Sequence, residues 1–213
     1  MSIVILLTLL GSIFFIKFIN YLERRDITFD PRLKLKEKYK VIILIYFFLI
    51  SLLLYKRYGM TIIMITYYIT AVYLSISAYI DFKVNDVYSF FNVWMFIISI
   101  LFTTYMGFKT DVRPFLESLI VCTVIGIIKV KFKMWGKGDT LLLIAIALIL
   151  GSKGYIYIYN IKIPMAVVSI VVAHYIAGIK GIYLLITKKA KVTSNIPMVP
   201  ALALSCISIL ILL

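Results

Sequence analysis

Residues 60–83 read MTIIMITYYITAVYLSISAYIDFK, and no charged residue occurs between Arg57 and Asp81. A helix needs about 20 residues to cross the hydrocarbon core of a bilayer, so this run is long enough to span, and it ends on a carboxylate. The same pattern continues on either side. Apolar runs bounded by charges, Gly or Pro fall at about 3–20, 41–55, 60–80, 90–107, 114–130, 139–151, 163–186 and 196–213. The pattern predicts an all-α membrane protein, a polytopic bundle of about eight transmembrane helices. Composition agrees, with 63% hydrophobic and 15% charged residues and a mean hydropathy of +1.07, against roughly 45–50% apolar and about 25% charged in soluble domains. Eight spans in 213 residues leave no room for a soluble domain. The long apolar runs also exclude a β-barrel, whose strands alternate over about ten residues.

Two stretches fit the pattern less simply. The sixth run, Thr140 to Leu150, is short for a span unless Gly136 to Asp139 already lies at membrane depth, where irregular backbone is tolerated only inside protein or beside a water-filled cavity. The tract Tyr155-Ile-Tyr-Ile-Tyr159 alternates as a strand does, but between two spans it reads as an interfacial tyrosine belt.

The net charge of +14 would mark a nucleic-acid surface on a soluble protein. Beside membrane spans it marks orientation and contact with anionic lipid, so lipid and no nucleic acid is the expected partner. Eight spans divide the loops into two sets. The set at 21–40, 81–90, 129–139 and 187–195 holds most of the Lys and Arg residues. The other holds Lys56, Arg57, Lys109, Arg113, Lys153 and Lys162. The positive-inside rule puts the richer set in the cytoplasm and both termini outside. Met1-Ser2 runs directly into Ile3 to Ile16 with no basic n-region, which reads as a retained first helix. Cys122 and Cys206 lie inside apolar runs and form no CxxC pair, so neither a disulfide framework nor a structural zinc site is expected.

The nine acidic residues sort by depth. Glu23, Asp26, Asp30 and Glu37 balance the basic loop, Asp111 and Asp86 lie in turns, and Glu117 stands at a helix start. Asp81 and Asp139 remain, each at the cytoplasmic end of a span. Asp81 closes its helix, where the negative end of the macrodipole disfavours an acid, and pairing with Lys83 is its structural explanation. Asp139 follows Gly136-Lys-Gly138 and precedes an apolar run, where Asp makes a good N-cap. The flanking glycines permit φ > 0 and close approach of a peptide backbone. Two carboxylates at one depth on different spans fit a shared-proton pair that activates water for peptide hydrolysis. The helix N-terminus at Asp139 favours its ionised form and the helix C-terminus at Asp81 the protonated one, so Asp139 is the expected base. Other hydrolytic chemistries lack their residues: with His174 as the only histidine there is no HExxH pair, and neither GxSxG nor Walker A occurs. His174 itself reads as a helix-contact residue within the seventh span.

These residues resemble the GxGD aspartyl membrane proteases, and within them the archaeal prepilin and preflagellin peptidases. The matching pieces are Ser77-Ala-Tyr-Ile-Asp81-Phe-Lys83, Gly136-Lys-Gly-Asp139 and Ile196-Pro-Met-Val-Pro-Ala-Leu202; the last is also similar to the PAL sequence of presenilin-type relatives. The resemblance covers about residues 60–213 as a six-helix core and leaves residues 1–59 as two accessory helices with a basic cytoplasmic loop. It implies an aspartic endopeptidase that cleaves class III signal peptides from pilin-like or archaellin precursors at the cytoplasmic face, with no metal and no organic cofactor. Asp81 and Asp139 would be catalytic and Gly136 and Gly138 would shape the active-site loop. Pro197, Pro200 and Lys83 would position substrate. The turn Asp86-Val-Tyr-Ser89 lacks the proline common in the family. The cysteine-rich domain of the methylating bacterial enzymes is missing as well, which implies no N-methyltransferase activity. The alternatives are a small proton- or ion-coupled transporter using the same two aspartates, and an inactive partner that binds pilin helices.

Overall fold

The computed structural model describes residues 2–25, 33–84, 89–132, 136–187 and 197–213. The described chain forms helices α1 (Ser2–Arg25), α2 (Glu37–Tyr58), α3 (Ile62–Val84), α4 (Ser89–Gly107), α5 (Arg113–Lys131) and α6 (Lys137–Gly151), a hairpin of strands β1 (Tyr155–Ile158) and β2 (Ile161–Pro164), and helices α7 (Met165–Ile186) and α8 (Val199–Leu212). The protein is a multi-pass membrane protein of all-α type. Helices α1, α2, α3, α4 and α7 are long and apolar enough to cross a membrane, whereas α6 and α8 are shorter apolar helices. In hydrocarbon a helix meets every backbone donor and acceptor within its own segment, which is why these apolar runs become helices although they are rich in Ile and Val.

The tyrosine tract departs from the expected interfacial belt. Tyr155 to Ile158 pair antiparallel with Ile161 to Pro164, with Tyr155 opposite Pro164 and Ile158 opposite Ile161. The two-residue turn has positive φ at Tyr159 (49°) and Asn160 (66°), the geometry that matches the twist of a tight hairpin and that Asn tolerates well. The signal was in the residues: Asn160 lies between two alternating runs.

Helix α6 packs on α4 and α5, and helix α3 packs most extensively on α8. Helices α1 and α2 pack on each other and on α3. A Cβ at Gly11 would collide with the Tyr68 hydroxyl oxygen, so the glycine leaves room for that hydroxyl, which donates to the Leu7 carbonyl at 2.6 Å. Small polar side chains tie other pairs, as expected where apolar burial alone does not favour helix association. Thr8 meets Ser51 at 2.9 Å between α1 and α2, and the Ser205 hydroxyl donates to the Ser169 carbonyl at 2.8 Å between α8 and α7.

Helices α5 and α6 meet through glycine at both ends. A Cβ on Gly126 would come within 2.5 Å of Thr140 Cγ2, and one on Gly151 within 2.8 Å of the Phe115 Cα. Backbone cannot move aside as a flexible side chain can. Gly151→Ala is therefore expected to destabilise the protein by about 1–3 kcal/mol, as over-packing does, whereas Gly178→Ala, with nothing within 4 Å of the added Cβ, is expected to be neutral or slightly stabilising. Thermal unfolding of both variants in the same detergent checks the contrast.

At the end of α3 remote from Asp81, three polar side chains close the last turn of α8. Arg57 donates to the Ile211 carbonyl at 2.9 Å and also to that of Leu213, Tyr58 donates to the Leu210 carbonyl at 2.9 Å, and Lys153 donates to the Tyr58 hydroxyl. Cations and donors at a helix C-terminus meet its orphan carbonyls and the negative end of its dipole. Lys153, in the turn after α6, is half-buried; burial first, and the nearby Arg57 second, push its ammonium down to about 8 from 10.5. An amine whose pKa falls on folding keeps the folded state proton-poor, so between about 8 and about 10.5 the unfolded chain binds more protons and stability rises with pH. Unfolding midpoints across that window should climb in the wild type and climb less in Lys153→Met.

Candidate active site

Asp81 lies in the last turn of α3 and is 6% exposed. Its Oδ2 accepts the backbone N–H of Val199 at 3.0 Å. Val199 is the first residue of α8 and Pro200 the second, and the preceding residue, Met198, provides no side-chain cap. Pro200 suits that position because it has no N–H to leave unpaired and its φ is already helical. Asp81 therefore does for α8 what an N-cap residue usually does for its own helix. This corrects the sequence argument, which set Asp81 against the unfavourable end of α3 alone: its carboxylate meets the favourable N-terminal end of α8. Pro197 stands two residues before that helix start, half-buried.

Asp139 is the third residue of α6, not its N-cap; Gly136 holds the N-cap position with φ −79° and ψ 166°. The Gly136 N–H donates to Asp139 Oδ2 at 2.9 Å, the reaching-back half of a capping box. Neither glycine uses the left-handed region: among the described residues the glycines with positive φ are Gly59 and Gly154. Gly136 is extended because it leads into the helix, and Gly138 is helical. Both carboxylates thus accept an N–H at the start of a short apolar helix, and Asp81, although it closes α3, also meets a favourable helix end.

The structure adds two residues that sequence reasoning missed. Asn92 in α4 is fully buried. Its Nδ2 donates to the Gly138 carbonyl at 2.9 Å, and its Oδ1 accepts from the Tyr73 hydroxyl of α3. Tyr73, Ser77 and Asp81 follow one another at intervals of four residues on α3, which places them on one face. The Ser77 hydroxyl is buried and has no hydrogen-bond partner among the described residues. A signal for Asn92 existed: it is the single amide in the apolar run Phe90-Phe-Asn-Val-Trp94.

The candidate residues gather at one end of the bundle in two groups. Asp81 joins the start of α8 with Pro197 and Pro200. Asp139 joins Gly136 and, through Gly138, the Asn92–Tyr73 pair that leads back to α3. Lys83, in the last turn of α3, places its Nζ 5.8 Å from the centre of the Tyr79 ring, a cation–π contact. His174 bridges helices, with Nδ1 on the Ile170 carbonyl at 2.7 Å and Nε2 on Lys129 Nζ at 2.9 Å; donation from Nδ1 leaves Nε2 to accept from the ammonium. Among the described residues no group of three or more His, Cys, Asp or Glu side chains is placed to hold a metal ion. The turn at Asp86, Asp26, Asp30 and Arg32 of the basic loop, and Lys133, Trp135, Lys188, Lys189, Lys191 and Ile196 lie outside the described residues.

Residues 68–173 match the model of the type IV leader peptidase family. The matched segment carries Asp81, Gly136, Gly138 and Asp139 and ends before Pro197 and Pro200. This segment, just under half of the chain, is similar to the type IV leader peptidases and supports a prepilin peptidase-like family. No curated protein and no solved structure matches the chain.

Removing the Asp81 carboxylate should loosen α8 at its start. Asp81→Asn keeps an oxygen to accept the Val199 N–H and is expected to fold as the wild type does, whereas Asp81→Ala leaves that buried donor unpaired at a cost of about 1–3 kcal/mol. Amide hydrogen exchange at Val199 and at residues 201–203 should be faster in Asp81→Ala and unchanged in Asp81→Asn.

Proposed function

We propose that this protein is an aspartic endopeptidase in which Asp81 and Asp139 act together on a peptide bond of pilin-like or archaellin precursors, removing a class III signal peptide at the cytoplasmic face of the plasma membrane. The observation that carries the reading is the pairing of both aspartates with the starts of short apolar helices at the same end of the bundle, within or beside the matched segment. One carboxylate takes a proton from water as the water oxygen attacks the scissile carbonyl carbon. The other, protonated, gives its proton to the carbonyl oxygen. Collapse of the tetrahedral intermediate then breaks the C–N bond, and the leaving amine takes up a proton from the pair. The chemistry asks for no metal and no organic cofactor.

In this reading residues 60–213 form the protease core and residues 1–59 an accessory element, with both termini outside. The apolar helix of the precursor lies in the bilayer among the spans while its leader stays in the cytoplasm. Gly136 and Gly138 begin the helix that bears Asp139, and Pro197 and Pro200 begin the one that Asp81 caps. Lys83 stands beside the first aspartate at the membrane edge, where it can meet the polar part of the substrate. The ion-coupled transporter rests on the same two carboxylates but has nothing else in its favour, while the family match concerns a peptidase.

Cleavage of a precursor pilin or archaellin by purified protein in detergent or liposomes tests the proposal. Asp81→Asn and Asp139→Asn should each reduce cleavage by at least about 10³-fold, the scale on which members of a catalytic unit act, with both variants folded. Full processing by either one would reject the shared role. The same preparation, given S-adenosylmethionine and cleaved pilin, should transfer no methyl group to the new N-terminus.

A further inference from the structure

Helices α3 and α6 carry the two aspartates, and among the described residues a single side chain of a third helix is hydrogen-bonded to both. Asn92 uses both ends of its amide: Oδ1 accepts from Tyr73 of α3 and Nδ2 donates to the Gly138 carbonyl of α6, the peptide unit directly before Asp139. The amide is 0% exposed. A buried amide costs free energy unless its groups are paired, and here donor and acceptor are both used across helices. Tyr73 is held in turn by packing against Phe91, ring centroids 4.8 Å apart.

We propose that Asn92, with Tyr73, is a positioning residue for the Asp139 carboxylate, holding the first turn of α6 at a fixed place relative to α3 and so setting how Asp139 faces Asp81. The proposal rests on the aspartic-peptidase reading for its effect on turnover. Its geometry does not: the clamp acts on Asp139 whatever the two carboxylates do. Because Gly138 is in the first turn of α6, a shift of its carbonyl carries the next residue with it. Catalytic groups displaced by about 1 Å lose on the order of 10²-fold in rate.

Three substitutions separate positioning from simple support of the fold. Asn92→Ala removes both bonds and is expected to lower kcat by about 10–100-fold with KM within about twofold, since substrate contacts are untouched. Asn92→Asp keeps the shape and the acceptor for Tyr73 but loses the donor to Gly138 when ionised. Its activity relative to wild type should rise as pH falls and the new carboxyl regains a proton to donate, a change that a merely structural role does not produce. Tyr73→Phe leaves the Asn92–Gly138 bond and should cost less, about 3–10-fold, with no added loss in the Asn92→Ala background.

The readout that needs no substrate is the infrared carboxyl signal of Asp139, identified by its disappearance in Asp139→Asn. It should shift in Asn92→Ala and less in Tyr73→Phe. A shifted signal in a protein that cleaves no precursor would uphold the clamp and reject the peptidase reading. An unshifted signal with wild-type kcat in folded Asn92→Ala would overturn the clamp and leave the peptidase reading standing. If Asn92→Ala does not fold, Tyr73→Phe, which deletes one oxygen, carries the same two outcomes.

Discussion

A carboxylate in an apolar bundle has to be met by donors from the protein itself, and in this chain the donors are the backbone N–H groups of helix starts. Val199 supplies one to Asp81 and Gly136 supplies one to Asp139. The first four N–H groups of any helix have no intrahelical partner, so each pairing meets two needs at once. The Val199 contact fixes the start of α8 against α3, while the Gly136 contact closes the start of α6 upon itself.

Helix α8 shows how far that dependence reaches. Its N-terminus is capped by a side chain of α3, and its last carbonyls are met by Arg57 and Tyr58 of α2, with Lys153 seated on Tyr58. A 14-residue helix is about 21 Å long at 1.5 Å per residue, shorter than the roughly 30 Å hydrocarbon core. Held at both ends by other elements, it keeps its depth through contacts with the bundle and not through its own length. Residues outside the family-matched segment thus help to place one inside it: α2 and α8 together bear on Asp81.

The apolar periodicity, the charges at the run ends and the two aspartates made much of the architecture legible beforehand. Each spanning helix is decided locally, since a long uncharged run in lipid has no other way to pair its backbone. The same locality made the resemblance readable in Asp81, Gly136, Gly138 and Asp139, and the match over residues 68–173 supports the family. Where the reading erred, the deciding partner was remote or the turn chemistry was subtle. Asp81 was judged against its own helix because nothing in the residues around it names α8 as the helix it caps. The Tyr155 tract was read as a belt because the pairing of Ile158 with Ile161 turns on two positive φ angles at Tyr159 and Asn160.

The amino-acid sequence by itself determined that this is a bundle of apolar helices with few acids, and that two of those acids stand at helix ends, because hydropathy and charge act within a single segment. The tertiary structure decided that Asp81 faces the start of α8 and that Asn92 ties α3 to α6. Those are hydrogen bonds between groups as far apart in the chain as Asp81 and Val199, and their donors are in part backbone amides, which every residue but proline carries and which no sequence pattern can single out.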